Sequence, residues 1–290
     1  MQRTPELARQ FYNRFEPIHA VTYFAPEVRS TLDNLGYRGF WMGYFAARSA
    51  PLGRVAPEVV AAVFYNFALA RVAKSIPAAW EIAGPAQALQ ARLDSAVAAL
   101  HRCGVTADEN VSVAAQLAYR AVQHTPVDGR TLFAANMALP VPPDPLAALW
   151  QATTLLREHR GDGHVAVLTV AGISGRESNV FHTLSDTGAT AVSEEFMKRA
   201  RHYDDAEWAA CRQSLTDRGL LDGSGSLTPS GHELKTHIET STDALSLRAF
   251  DALDDDELQA LFSALTPVAR RVIAGGDLPA ASPMSVRLDF

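Results

Sequence analysis

The densest group of side chains able to do chemistry is Arg157-Glu158-His159-Arg160-Gly161-Asp162-Gly163-His164. At a helix end followed by glycines it would gather two imidazoles, two guanidinia and two carboxylates around one turn. His159 and His164 could then ligate a metal ion, or Arg157 or Arg160 could clamp a carboxylate or phosphate bidentately. On a helix, residues five apart point about 140° from each other, so the two imidazoles share an ion only if the glycines redirect His164. A plain reading stands beside both: a basic helix terminus held by its own salt bridges.

Two further sets carry similar alternatives. His19 sits between the apolar Ile18 and Val21, just after Pro17. A lone histidine there reads as a hydrogen-bonded core residue; facing His159 or His164 across a cavity, it would make a three-histidine or heme-type site. The aromatic run Tyr37, Phe40, Trp41, Tyr44, Phe45, Phe64, Tyr65 and Phe67 is interleaved with Arg38 and Arg48. Such a set walls a flat organic ligand, with arginine fixing its acid group, or it fills an ordinary core. Candidate ligand-binding residues are therefore His19, Tyr44, Arg48, Tyr65, His159, Arg160, Asp162 and His164, with heme or a metal ion at the histidines as an open option. Nucleophilic and phosphate-loop chemistry find no support, because GxSxG, GxxxxGK[ST] and GxGxxG are all missing and Cys211 has no candidate base beside it.

The elements that must position these residues are mainly helical. Leu7, Phe11, Phe15 and Ile18 recur at near-helical spacing, with Pro17 bending the end, and Leu89, Leu93, Val97 and Leu100 form another stripe. ALPVPPDP, residues 138–145, forbids a helix and favours an extended connector, which places a boundary near residue 140 between a helical domain, 1–140, and a second domain, 141–290. The second half opens with LAALWQATTLLREH, expected to end at Gly161 and Gly163. A short apolar helix at 164–171 follows, then the GISGRES turn, a helix through Phe181 and an insertion before Asp204. Arg38–Gly53 also aligns without gaps to Arg160–Gly175, VFYN answers VFHT and Trp80 answers Trp208, a faint echo of tandem duplication.

Asp204–Gly231, DDAEWAACRQSLTDRGLLDGSGSLTPSG, reads as helix, strand, tight tip, returning strand and next helix. Gly219 is suited to end the first helix in the left-handed conformation, and Thr228 to cap the next with Pro229 at its first turn. Through Leu215, Arg218-Gly219-Leu220-Leu221 and Leu227-Thr228-Pro229-Ser230-Gly231 this segment resembles the MarR-type winged helix. The whole chain resembles an actinobacterial family of SalTA-like, winged helix-turn-helix proteins through EPIHAVTYFAPE, GFWMGYFAARSAPLG, LFAANMALP and LLREHRGDGHVAVL. The resemblance implies a winged-helix-like second half and supplies no mechanism.

The charges are wrong for that motif's usual work. A reading helix in the major groove calls for Arg, Lys, Ser, Thr, Asn or Gln at its start, whereas this one begins Asp204-Asp205-Ala206-Glu207-Trp208. Three unpartnered carboxylates against a polyanion are repelled, although the same acids suit a helix dipole. The wing tip, Asp222 to Ser226, carries no arginine, and Lys198, Arg199, Arg201 and His202 are the nearest basic cluster. The formal charge of −6, from 32 acidic and 26 basic residues, likewise lowers the expectation of a nucleic-acid partner. Cys103 and Cys211 lack disulfide or zinc spacing, no signal peptide or membrane span is evident, and a reducing cytoplasm fits. Two functions follow: a small-molecule or cofactor binder, with enzyme activity open, whose pocket lies between the halves, or a MarR-like DNA-binding regulator. A homodimer is open for the first and required by the second.

Overall fold

The computed structural model describes residues 1–185, 191–284 and 286–290. Within them the chain is helical, and its helix starts follow from local chemistry. Proline in the first turn opens α1 (Pro5–Phe24), α2 (Pro26–Asn34), α4 (Pro57–Phe64), α7 (Pro85–Arg102), α10 (Pro145–Val170) and α14 (Pro229–Leu247). The Thr4, Asp144 and Thr228 side chains accept from the third backbone N–H of α1, α10 and α14. The other helices are α3 (Gly39–Ser49), α5 (Leu69–Ala73), α6 (Ala79–Ile82), α8 (Glu109–Gln123), α9 (Thr131–Met137), α11 (Gly175–Ser185), α12 (Glu194–Arg201), α13 (Asp205–Asp217) and α15 (Asp255–Ala274). The last opens on a capping box between Asp254 and Glu257.

Two apolar cores form. The larger joins Phe11, Phe45, Leu100, Phe133 and Leu149 with Phe250, Leu261 and Leu265 of the C-terminal part, so α15 packs back onto α1 and α8. The smaller is built from Val167, Ile173, Phe181, Met197, Trp208, Leu215 and Ile238. The apolar side chains therefore part within α10, downstream of the proline-rich connector near residue 140, and residues 249–284 and Val286 return to the first core.

α10 is longer than its sequence suggests. Gly161 and Gly163 do not end it; it continues through both to Val170, without a separate helix at 164–171. At Gly163 the missing side chain provides room. A Cβ on Gly163 would lie 2.8 Å from an Arg130 terminal nitrogen, and Arg130 reaches across this gap to the His159 carbonyl oxygen. α1 likewise runs through Pro17.

The helix–wing–helix order of Asp204–Gly231 stands, with one change. Gly219 has φ of 70°, as its helix-ending role requires, and Thr228 caps α14. The two expected strands shrink to a single antiparallel bridge between Leu221 and Leu227, and no longer strand occurs among the described residues. The tip is folded on itself: the Asp222 carboxylate accepts from the Ser224 and Ser226 N–H groups at 2.8 and 3.0 Å, and Arg212 donates to the Ser224 carbonyl at 2.7 Å. In the insertion before Asp204, α11 extends to Ser185 and α12 forms; residues 186–190 lie outside the described residues.

The start of α11 ties the two cores together. A Cβ on Gly175 would sit 1.9 Å from the Tyr65 carbonyl oxygen, so only glycine allows this approach. Beside it, Asn179 donates to the Asn66 carbonyl at 2.8 Å, and the Tyr65 hydroxyl donates to the Ile173 carbonyl at 2.5 Å.

Candidate functional site

These contacts leave a cavity of about 640 Å³ between the cores. α10 lines it with Arg157, Arg160, Asp162, His164 and Leu168; α1 and α3 add Tyr12, Tyr23, Trp41, Tyr44 and Arg48. Phe64 to Phe67 and Arg71 come from α4, α5 and the turn between them, Asn179 and Phe181 from α11, Arg199 to Arg201 from α12, and Lys235 and Glu239 from α14. The aromatic run converges except for Tyr37, which is buried and donates to the Ala83 carbonyl: Tyr44 and Phe67 have ring centroids 5.6 Å apart, as do Trp41 and Phe67, and Tyr23 lies 5.5 Å from Tyr44. Such a contiguous aromatic wall supplies large apolar area with little side-chain freedom to lose on binding.

Most charges on the wall are already matched. Arg48 donates through Nε and Nη2 to the two carboxylate oxygens of Glu158, both at 3.2 Å, and through Nη1 to the Tyr44 hydroxyl at 3.1 Å. Arg157 donates to the same carboxylate at 2.8 Å. Burial pushes the Glu158 carboxyl up, but Arg157 and Arg48 outweigh it and hold it well below the usual carboxylate range. Glu16 is different. It is fully buried, neither carboxylate oxygen has a hydrogen-bond partner, and burial pushes its carboxyl up to about 7 with Arg157 offsetting only part. Arg160 donates to Asp243 at 2.9 Å and lies 4.2 Å from the Tyr12 ring centroid, while Arg9 donates to the second oxygen of Asp243 at 2.9 Å.

Tyr44, Arg48, Tyr65, Arg160, Asp162 and His164 thus share one cavity, but His19 and His159 do not. The Thr154 hydroxyl donates to the Trp150 carbonyl and so accepts from His19 Nδ1–H at 2.9 Å; this leaves His19 Nε2 to accept the Tyr23 hydroxyl at 3.0 Å. Buried behind Tyr23, His19 is a core histidine kept neutral by desolvation. His159 turns away from the cavity, its ring edge-on to Phe133 at 5.1 Å, and burial lowers its imidazole to about 3. His164 Nδ1 lies 3.0 Å from the Thr242 hydroxyl, whose proton goes to the Ile238 carbonyl. Because α10 never breaks, His159 and His164 keep their helical divergence and cannot share a metal ion. The three-histidine arrangement fails as well, since neither His19 nor His159 lines the cavity. No group of three or more His, Cys, Asp or Glu among the described residues is placed to hold a metal. Asp162, pushed up to about 6 mainly by burial, accepts the Phe133 N–H at 2.9 Å.

Sequence reasoning misses two wall residues. Arg201, which reads as part of the basic flank of the reading helix, turns into the cavity with its guanidinium carbon 4.2 Å from the Phe67 ring centroid. Arg71 stacks in the same way on Trp41 at 4.2 Å. Neither has a carboxylate partner among the described residues, and the Nε of each is buried without a hydrogen bond. Nothing local in the sequence marks either one.

The acids at the start of α13 do have partners. Arg176 grips Glu207 at 2.6 and 2.8 Å, Lys198 meets Asp205 at 3.1 Å, and Asp204 caps the helix through the Glu207 N–H at 2.7 Å. The exposed face of α13 consists of Asp205, Ala206, Ala209, Ala210, Gln213 and Asp217, and bears no basic side chain. Among the described residues no helix is long and apolar enough to cross a membrane.

Comparison with curated proteins and with solved structures yields no match. The model of a helix-turn-helix family matches residues 8–279, taking in both cores, the cavity between them and the helix–wing–helix unit. With nearly its whole length covered, the chain belongs to this helix-turn-helix family.

Proposed function

We propose that the protein binds a flat, largely apolar small molecule in the cavity between its cores, on a helix-turn-helix scaffold turned from reading DNA to enclosing a ligand. The observation that carries this reading is the cavity of about 640 Å³, within the size range of small-molecule sites, walled by aromatic rings and polar groups from both cores. Tyr44, Tyr65, Phe64 and Phe67 supply the apolar face, and Arg160 and His164 border it. His164 has its Nδ1–H engaged by Thr242, which leaves Nε2 as an acceptor. Fluorescence titration with the neutral probe N-phenyl-1-naphthylamine tests the reading. Saturable binding of one probe per chain is expected, together with its loss in Ser178→Trp, which pushes an indole into the cavity from α11. Absence of saturable binding, or unchanged binding in a folded Ser178→Trp protein, refutes it.

The second reading, a MarR-like DNA-binding regulator acting as a homodimer, is favoured by the family and by the helix–wing order. The exposed face of α13 speaks against it, since it carries two carboxylates, three alanines and Gln213, whose amide donates to Asp217, and no basic side chain to meet phosphate. Fluorescence anisotropy with genomic DNA fragments at low salt separates the two. No saturable binding is expected, and tight sequence-selective binding would establish the regulator instead.

A further inference from the structure

We infer that Arg71 and Arg201 form an anion-binding end of this cavity, so that the molecule it takes is an aromatic acid whose anionic group lies against the two guanidinia. The inference rests on the ligand-binding reading above and adds the chemical class of the ligand. It starts from which cations of the cavity are committed. Arg48 and Arg157 share Glu158, Arg160 and Arg9 share Asp243, and Lys235 pairs with Glu239, while Arg199, also on the wall, is exposed to solvent. Arg48, Arg157 and Arg160, three of the arginines the sequence offers for an acid group, are therefore occupied by the protein's own carboxylates.

Arg71 and Arg201 are held by rings instead. Their guanidinia stack on Trp41 and Phe67, and those rings meet edge to face with centroids 5.6 Å apart, so the two cations flank one aromatic pair. Stacking fixes the plane of a guanidinium, and with each Nε buried it leaves the two terminal Nη–H groups to receive an oxyanion in bidentate fashion. No hydrogen bond or carboxylate among the described residues engages either guanidinium, and Arg201 also feels the positive charges of Arg48 and Arg71. Burial first, then this repulsion, lowers Arg201 to about 10, opposed by Tyr44 and Tyr203. Like charges gathered in a half-buried aromatic wall without a counter-ion are costly, and an anion beside them removes that cost. The same rings that hold the guanidinia continue into Tyr44 and Phe64, giving an aromatic ligand a surface adjoining the anion end.

Two probes that differ only by an acid group test this: 1-anilinonaphthalene-8-sulfonate and its neutral parent, N-phenyl-1-naphthylamine. The sulfonate is expected to bind about ten- to a hundredfold more tightly, the range of a charge-assisted hydrogen-bonded contact. The Arg71→Met/Arg201→Met double variant keeps the apolar stems and should abolish that preference, the sulfonate then binding no more tightly than the neutral probe does to the same variant. Lysine at both positions should restore only part of it, because the charge returns without the bidentate edge. Competition against the sulfonate by 1-naphthoate and by 1-naphthyl phosphate assigns the acid to whichever displaces it better. Equal binding of the two probes to the unaltered protein, a preference surviving in the double variant, or displacement by neither competitor overturns the anion site while the cavity reading stands. Failure of both probes to bind overturns the cavity reading itself.

Discussion

Glu16 offers the sharpest test of the electrostatics beneath the cavity. Its carboxyl is fully buried, its oxygens lack hydrogen-bond partners, and its titration moves from the ordinary 4.5 to about 7 on folding. A carboxyl whose folded value is raised stabilises the fold fully below its unfolded value and loses that contribution as pH climbs through the folded one. Between about pH 5 and about pH 8 the loss integrates to about 2.5 kcal/mol, each tenfold difference in proton affinity between the folded and unfolded carboxyl being worth about 1.36 kcal/mol. Glu16→Gln removes the titration. Whatever fixed cost the buried amide carries is the same at both pH values and cancels in the comparison. Urea unfolding of both proteins at the two pH values should therefore show the variant gaining about 2.5 kcal/mol relative to the unaltered protein as pH rises. His159 and His164, lowered to about 3 and about 4 mainly by burial, and Asp162 titrate in both proteins and also drop out. A relative gain below about 0.5 kcal/mol would refute the claim that an unsolvated carboxyl without a hydrogen bond sits 3.7 Å from Arg157.

Three more expectations concern the frame around the cavity. Glu158→Ala strands the Arg48 and Arg157 guanidinia in the interior and should cost about 3–5 kcal/mol in urea unfolding at neutral pH; a loss under about 1 kcal/mol would mean the shared pair is poorly formed. Gly175→Ala places a Cβ 1.9 Å from a backbone oxygen that cannot rotate away, so thermal unfolding should reveal a destabilisation of about 1–3 kcal/mol, with the Tyr65–Asn66 junction loosened in hydrogen exchange. Thr228→Ala removes the cap of α14 and the hydroxyl's bond to the Gly219 carbonyl at 2.6 Å, for about 1 kcal/mol; hydrogen exchange should rise in the first turn of α14 and stay unchanged in α1.

Much of the scaffold is legible in the residues because its cues are local. A proline in a first turn, a threonine or aspartate before it and a glycine at positive φ act through atoms within a few residues of themselves, as at Asp144, Thr228 and Gly219. The aromatic run from Tyr37 to Phe67 is legible as a patch for a related reason: rings too large to leave in water must gather somewhere. Gly163 misleads because a glycine that breaks a helix and one that makes room for a distant side chain look alike, and Arg130, which uses the room, lies outside α10.

A mainly helical chain, the helix–wing–helix order at Asp204–Gly231 and the acidic start of α13 all follow from residue types in their order along the chain. Backbone preference and charge type travel with the residue, so these features need no knowledge of distant neighbours. Which polar groups are spent and which are free is instead set by packing in three dimensions. The fold brings Glu158 to Arg48 across 110 residues, turns His159 onto Phe133 and leaves Arg71 and Arg201 stacked on rings without a counter-charge. Desolvation and ion pairing depend on what lies nearby in space, and in a helical protein those neighbours come from elements far apart along the chain.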